Sequence, residues 1–282
     1  MHLAERKAGS PGDLGALLRY WRQVRGKSQW DLALDTGISQ RHISFIESGR
    51  SIPGRQKLMD IAEGLDVPLR ERNLLLLASG YAPAYSDSVL DDPEMESIAK
   101  VLKRVLRQHE PFPAVVMDRY WNVVMTNDAA PNFFGRFIDM TSRPKPRNLL
   151  HLMFDPAGMR PFIADWDAVS KSLLARVYRE SVGHALDDKT KELIAALLAY
   201  GDGDGTKIPR IATPAMLLPM VPIGFIAHDR ILSYFSMITT VGTPQTITAQ
   251  ELRVECMYPA DAATETYHHE FMAPDFKLSA RR

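Results

Sequence analysis

Residues 28–53 read SQWDLALDTGISQRHISFIESGRSIP, and the fold of the N-terminal part turns on them. Ser28 stands where a helix N-cap is wanted, with Asp31 at the third position offering an imperfect capping box. Leu32 and Ala33 face inward, and Gly37 is placed where the chain must turn. Ser39 caps a second helix whose inner face is Ile43 and Ile46, and Gly49 ends it. A small residue in the first helix (Ala33), a glycine turn and two bracing isoleucines in the second are the requirements of a helix-turn-helix.

Outward from this pair the helical period continues. Leu14, Leu17, Leu18, Trp21 and Val24 form a stripe that Gly26 ends, and Leu58, Ile61, Ala62 and Leu65 form another. A fifth helix opens at Pro68, carries Leu74–Ala78 and stops at Gly80. Gly80–Asp92, rich in turn-formers and acids, reads as a linker. Asp92-Pro93 then starts a helix through about His109, with Met95, Ile98, Leu102, Val105 and Leu106 on one side. That stripe suits either pairing between subunits or packing on its own domain.

From Phe112 the period changes to two. Ala114–Asp118 and Trp121–Thr126 flank Arg119-Tyr120 as a hairpin. Helical stripes follow at Trp166, Val169, Leu173, Leu174 and Val177, and at Leu193, Ile194, Leu197 and Leu198. Beyond a solvated Gly201–Gly205 loop come strand-like runs at Leu217–Ala227, Ile231–Val241 and Glu251–Tyr258. The predicted fold is an all-α, five-helix N-terminal domain over residues 1–82, with a linker and connecting helix over 83–110. An α+β domain with a five-stranded antiparallel sheet follows over 111–265, helices lying between its second and third strands, and 266–282 is a tail.

Composition narrows the function classes. The 282 residues are 45% hydrophobic and 24% charged, as expected of one large or two ordinary folded domains. The only cysteine, Cys256, excludes an intramolecular disulfide and a thiolate metal cluster, and suits a reducing cytoplasm. No apolar run is long enough for a membrane span, and Met1–Gly9 lacks the apolar core of a secretion signal. HExxH, GxSxG and phosphate-cradling glycine loops are missing, and of the eight histidines only His268-His269 adjoin, so no enzyme, metal or cofactor is expected. Net charge is zero, yet residues 1–82 hold 12 Lys and Arg against 9 Asp and Glu, while the remainder holds 22 against 25. Arg19, Arg22, Arg25, Lys27, Arg41, Arg50, Arg55 and Lys57 crowd into one stretch, the local basic surface that phosphate binding needs.

Ser28-Gln29, Leu32-Ala33, Gly37-Ile38-Ser39, Ile43-Ser44, Ile46-Glu47, Gly49-Arg50 and Pro53 together resemble the Cro/phage-repressor type, the xenobiotic-response-element family. The resemblance implies a transcription regulator on double-stranded DNA, a homodimer on a two-fold symmetric operator. It puts Gln29 on phosphate, and sets Gln40, Arg41, Ser44 and Phe45 on the outward face of a recognition helix headed by Ser39. Arg50 and Ser51 would position the backbone. Each has a plainer alternative: Phe45 packing on a neighbouring helix, Arg50 answering helix-end carbonyls, Glu47 pairing with an arginine inside the domain.

Val116–Ala130 resembles the opening hairpin of PAS domains. Ile238–Gln245 with Glu251-Leu252-Arg253 is similar to the C-terminal domain of MmyB-like regulators. That likeness implies a PAS-like sensor for a small apolar molecule, a fatty acid being the best match. Strand position nominates Met117, Trp121, Met125, Phe133, Phe134, Phe225, Tyr234 and Met237 as ligand contacts, although a core and an apolar pocket have the same composition. The alternative is a constitutive repressor whose C-terminal domain only dimerises.

Overall fold

The computed structural model describes residues 13–182, 187–201 and 222–274. These divide into two units: residues 13–88 with the segment Pro244–Gln250, and residues 89–182, 187–201, 222–243 and 251–274. Most of the expected Gly201–Gly205 loop and the start of the run expected at Leu217 lie outside the described residues. No described helix is long and apolar enough to cross a membrane.

Five helices build the first unit: α1 (Leu14–Val24), α2 (Gln29–Thr36), α3 (Gln40–Glu47), α4 (Arg55–Gly64) and α5 (Leu69–Ala78). The capping box at Ser28 is complete: Asp31 N donates to Ser28 Oγ at 3.1 Å, and Ser28 N to Asp31 Oδ2 at 2.8 Å. α2 ends on Gly37 at φ +66°, a conformation that strains any residue with a Cβ. Ser39 Oγ then accepts His42 N at 3.3 Å and starts α3. Leu18, Trp21, Leu32, Ile43, Ile46 and Leu58 are buried in one core. Gly15 sets how closely α1 approaches α3, since a Cβ there would stand 2.4 Å from Glu47 O.

The stretch 81–88, expected as linker, is fastened to this unit. Asn73 Nδ2 donates to Tyr85 O at 2.7 Å, and Asn73 Oδ1 accepts Ala84 N and Tyr85 N at 2.9 and 3.1 Å. Arg70 pairs with Asp87 at 2.6 Å. The segment Pro244–Gln250 joins here too. Ile247 N donates to Ser86 O at 2.9 Å, and Thr248 Oγ1 bonds Ser88 O. Pro68 makes no side-chain cap for α5; instead Gln250 Oε1 accepts Leu69 N at 2.7 Å.

The second unit opens with a 3-10 turn (Pro93–Met95) and α6 (Glu96–Gln108). Strands β1 (Ala114–Met117) and β2 (Val123–Thr126) precede α7 (Ala129–Gly135), α8 (Leu149–Phe154), α9 (Trp166–Val182) and α10 (Asp188–Ala199). Then come β3 (Ile223–Ala227), β4 (Arg230–Thr240), β5 (Arg253–Pro259) and α12 (Ala262–Met272); α11 (Ile247–Glu251), between β4 and β5, belongs up to Gln250 to the first unit. The strands form one antiparallel sheet in the order β2-β1-β5-β4-β3, so β5 joins two hairpins. α6 contacts β1 and buries Leu102 and Leu106, so its stripe packs on its own unit. Residues 266–272, expected as the start of a tail, continue a helix instead: Asp261 caps α12, which sinks Tyr267, His268 and Phe271 into the core with Phe133, Phe225 and Tyr234. The pattern hid this helix because two of its inward residues are a tyrosine and a histidine, polar by type.

Candidate nucleic-acid interface and ligand cavity

α3 buries Ile43, Ile46 and Glu47, which turns Gln40, Arg41, Ser44 and Phe45 the other way. After Gly49, the backbone N–H groups of Arg50 and Ser51 both go to Phe45 O, at 2.8 and 3.2 Å. This brings Arg50 back beside the helix it follows. The guanidinium carbons of Arg41 and Arg50 lie 5.3 and 5.9 Å from the Phe45 ring centroid. Phe45 is thus a shared support for two cations.

The eight crowded basic residues separate into two groups. Arg22 Nε and Nη2 donate to Glu47 at 2.6 and 3.0 Å, and Arg19 Nη2 donates to Glu47 O at 2.8 Å. Arg25 Nε donates to Leu65 O at 2.8 Å, and Lys27 pairs with Asp35 at 2.7 Å. Arg41, Arg50, Arg55 and Lys57 make no ion pair among the described residues, and all four are exposed. The charge available to phosphates therefore runs from α3 to the start of α4. Gln29 Nε2 donates to Glu47 Oε2 at 2.9 Å, which commits one of its two amide hydrogens within the unit. Glu47 itself is 5% exposed. Burial pushes its carboxyl up, but hydrogen bonds from Arg22 and Gln29 outweigh this and hold it below the ordinary carboxylate range.

In the second unit an apolar cavity of about 40 Å³ lies between the sheet and α7, α8 and α9. The sheet side supplies Val115, Phe225, Tyr234 and Met257; the helices supply Phe134, Leu150, Met153 and Leu173. Trp121, from the turn between β1 and β2, completes the wall at φ +67°. A bulky residue in that region costs about 1–3 kcal/mol, so something must hold it. Asp118 does: its Oδ1 accepts Tyr120 N and Asn122 N at 2.8 and 2.9 Å, and its carbonyl accepts Trp121 N at 3.1 Å. The indole meets Arg176, whose guanidinium carbon lies 4.2 Å from the ring.

Two polar side chains enter the lining, Ser236 and Glu255. Arg176 Nη1 donates to Glu255 at 3.2 Å and its Nε to Glu180 at 2.9 Å, while Arg253 also pairs with Glu180. On the far side of Tyr234, its hydroxyl lies 2.7 Å from His268 Nδ1, and His268 Nε2 lies 3.0 Å from Pro111 O.

Of the residues nominated for ligand contact, Trp121, Phe134, Phe225 and Tyr234 stand in the lining. Met117 and Phe133 are buried in the core beside it. Met125 and Met237 are placed elsewhere. Met125 pairs with Val116, one residue out of phase with the cavity-facing Val115, and Met237, 56% exposed, is an odd step from Tyr234. Side chains on a strand alternate, so the partners of Tyr234 and Glu255 are Ser236 and Met257. That alternation was available to find both. The helix-borne Leu150, Met153 and Leu173 carry no signal distinguishing them from other core residues.

No curated protein matches the chain. A family model for a helix-turn-helix matches residues 18–72. A second, described as the MmyB-like transcription regulator ligand binding domain, matches residues 98–270.

Proposed function

From a chain that belongs to the MmyB-like transcription regulators, a DNA-binding regulator with a ligand-binding domain, we propose a cytoplasmic homodimer that binds a two-fold symmetric operator and responds to a fatty-acid-like apolar molecule. The observation that carries the ligand half is the cavity. Here the void has a wall residue, Trp121, held in a strained backbone conformation at its edge. A concave apolar lining with a few polar side chains is the usual form of a site for a small apolar molecule. An acyl chain gains roughly 0.8 kcal/mol per buried methylene, enough for micromolar binding or better.

The DNA half rests on α3, with Arg41 able to grip guanine and Gln40 to pair with adenine or phosphate, and Arg50 and Ser51 set for the backbone. One such helix reads a single half-site, which is why a pair of chains on a palindrome is the expected form. Mass spectrometry of the native protein should show a dimer carrying a small apolar molecule. Removing that molecule should lower the melting temperature, and adding it back should restore it and change operator affinity. Lipid-free protein that no apolar compound stabilises would leave a constitutive, merely dimerising C-terminal unit.

A further inference from the structure

β4 and β5 form a hairpin, paired from Tyr234↔Pro259 to Thr240↔Arg253. Both strands supply the cavity wall, Tyr234 and Ser236 from β4, Glu255 and Met257 from β5. The chain that connects them, residues 241–252, carries α11, and α11 up to Gln250 is part of the first unit. There Gln250 caps α5 by accepting Leu69 N, and Ile247 and Thr248 fasten Ser86 and Ser88. Ile247 and Ala249 are buried.

Glu251, the last residue of α11, is held in the second unit. Arg119 Nη1 donates to Glu251 Oε1 at 3.1 Å, and both side chains are buried. Arg119 Nη2 also pairs with Asp187 at 3.2 Å. That carboxylate accepts the Tyr120 hydroxyl at 2.6 Å and, as the cap of α10, Thr190 N at 2.8 Å. Arg119 and Tyr120 thus tie the turn between β1 and β2 to α10 and α11 together. The next residue of this turn is Trp121, the cavity wall at φ +67°. Bulky residues kept in that region against their preference concentrate at ligand clamps and switches. A buried ion pair is expensive to separate, so Glu251 follows Arg119 when the turn shifts.

We propose that α11 is the coupling element of this regulator: occupancy of the cavity, transmitted through Trp121, Arg119 and Glu251, alters the cap that Gln250 places on α5 of the DNA-binding unit. Arg119 and Glu251 act as positioning residues. The proposal rests on the reading of the cavity as the ligand site and adds the route by which that site acts.

The test is hydrogen exchange on delipidated full-length protein with and without dodecan-1-ol or dodecanoic acid, whose binding is measured in parallel by displacement of a fluorescent apolar probe. In wild-type protein, the bound compound should change exchange over residues 69–73 by about fivefold or more, and over residues 14–47 by less than about twofold. Glu251→Gln keeps the Gln250 cap and removes the charge that Arg119 grips. In this variant the ligand-dependent change over 69–73 should fall below about twofold, while affinity for the compound stays within about threefold of wild type. A bound compound that leaves 69–73 unchanged, or changes 14–47 equally, would overturn the coupling while leaving the cavity a ligand site. So would a Glu251→Gln protein that keeps the wild-type response. Failure of both compounds to bind would instead remove the ligand reading, and the coupling with it. Where Glu251→Gln does not fold, the wild-type comparison decides the matter.

Discussion

Arg41 and Arg50 share one aromatic support, yet they should fail differently when removed. Arg41 sits in the first turn of α3, where side chains meet base edges; Arg50 lies beyond Gly49, where the chain leaves the helix. Arg41→Ala should cost about 1–3 kcal/mol on the operator and relax preference at one base pair. Arg50→Ala should weaken all sequences alike and flatten the log-log salt slope by about one unit per half-site. Titrations across a salt series, on the operator and on single-base variants, separate the two; the reverse pattern would mean that the recognition face is misassigned. Glu47 gives a second test at this scale. Its carboxyl is held below the ordinary range in the folded unit, so its contribution is complete above that range and is lost as pH falls through its native value. Glu47→Gln, which leaves Arg22 without its charge partner, should cost about 3 kcal/mol near neutral pH and flatten the acid limb of the stability curve. Urea unfolding from pH 7 to pH 3 reads both effects. At the scale of single residues, the sequence showed the outward face of α3 because Ile43 and Ile46 fix its inner one. It mixed the two faces of β4 because an apolar methionine looks the same on either.

Single elements were legible where a helical or two-residue period ran on without interruption. α1 to α5, α9, α10 and the central strands are of this kind. What the sequence hid were elements whose order comes from a distant partner. Residues 81–88 have the composition of a loose connection, and one side chain, Asn73, fixes them with three hydrogen bonds. Asn73→Ala should cost the first unit about 1–3 kcal/mol, since each such bond is worth roughly 1 kcal/mol. α5 presents a similar case, with its cap supplied by Gln250 from 181 residues away in sequence. Gln250→Ala should cost about 1 kcal/mol and should do so locally. Hydrogen exchange should show faster opening of the first α5 amides, with the exchange of β1 and β5 unchanged. Uniform acceleration across the chain would argue against a local cap.

Over the whole molecule, the two-part organisation was visible in the change of period at Phe112. The composition of the first unit was not, because seven of its residues come from the interval between β4 and β5. A fragment ending at residue 82 loses the Asn73 contacts, and one ending at residue 90 keeps them but still lacks the cap on α5. Stability should therefore rise from the 1–82 fragment to the 1–90 fragment, and rise again when residues 244–251 are appended through a flexible linker. Equal melting temperatures for the three would show the added segments to be passengers. The inserted segment also constrains anyone who would re-engineer this regulator. Exchanging the head between relatives is usually done with a single crossover in the connecting region. Here a single crossover at about residue 90 would leave the recipient's head paired with the donor's 244–250, or the reverse, and a mismatch at Gln250 or Thr248 would strand Leu69 N or the carbonyl of Ser88. A transplant that works should need two cuts, carrying the short segment along with the helices it serves.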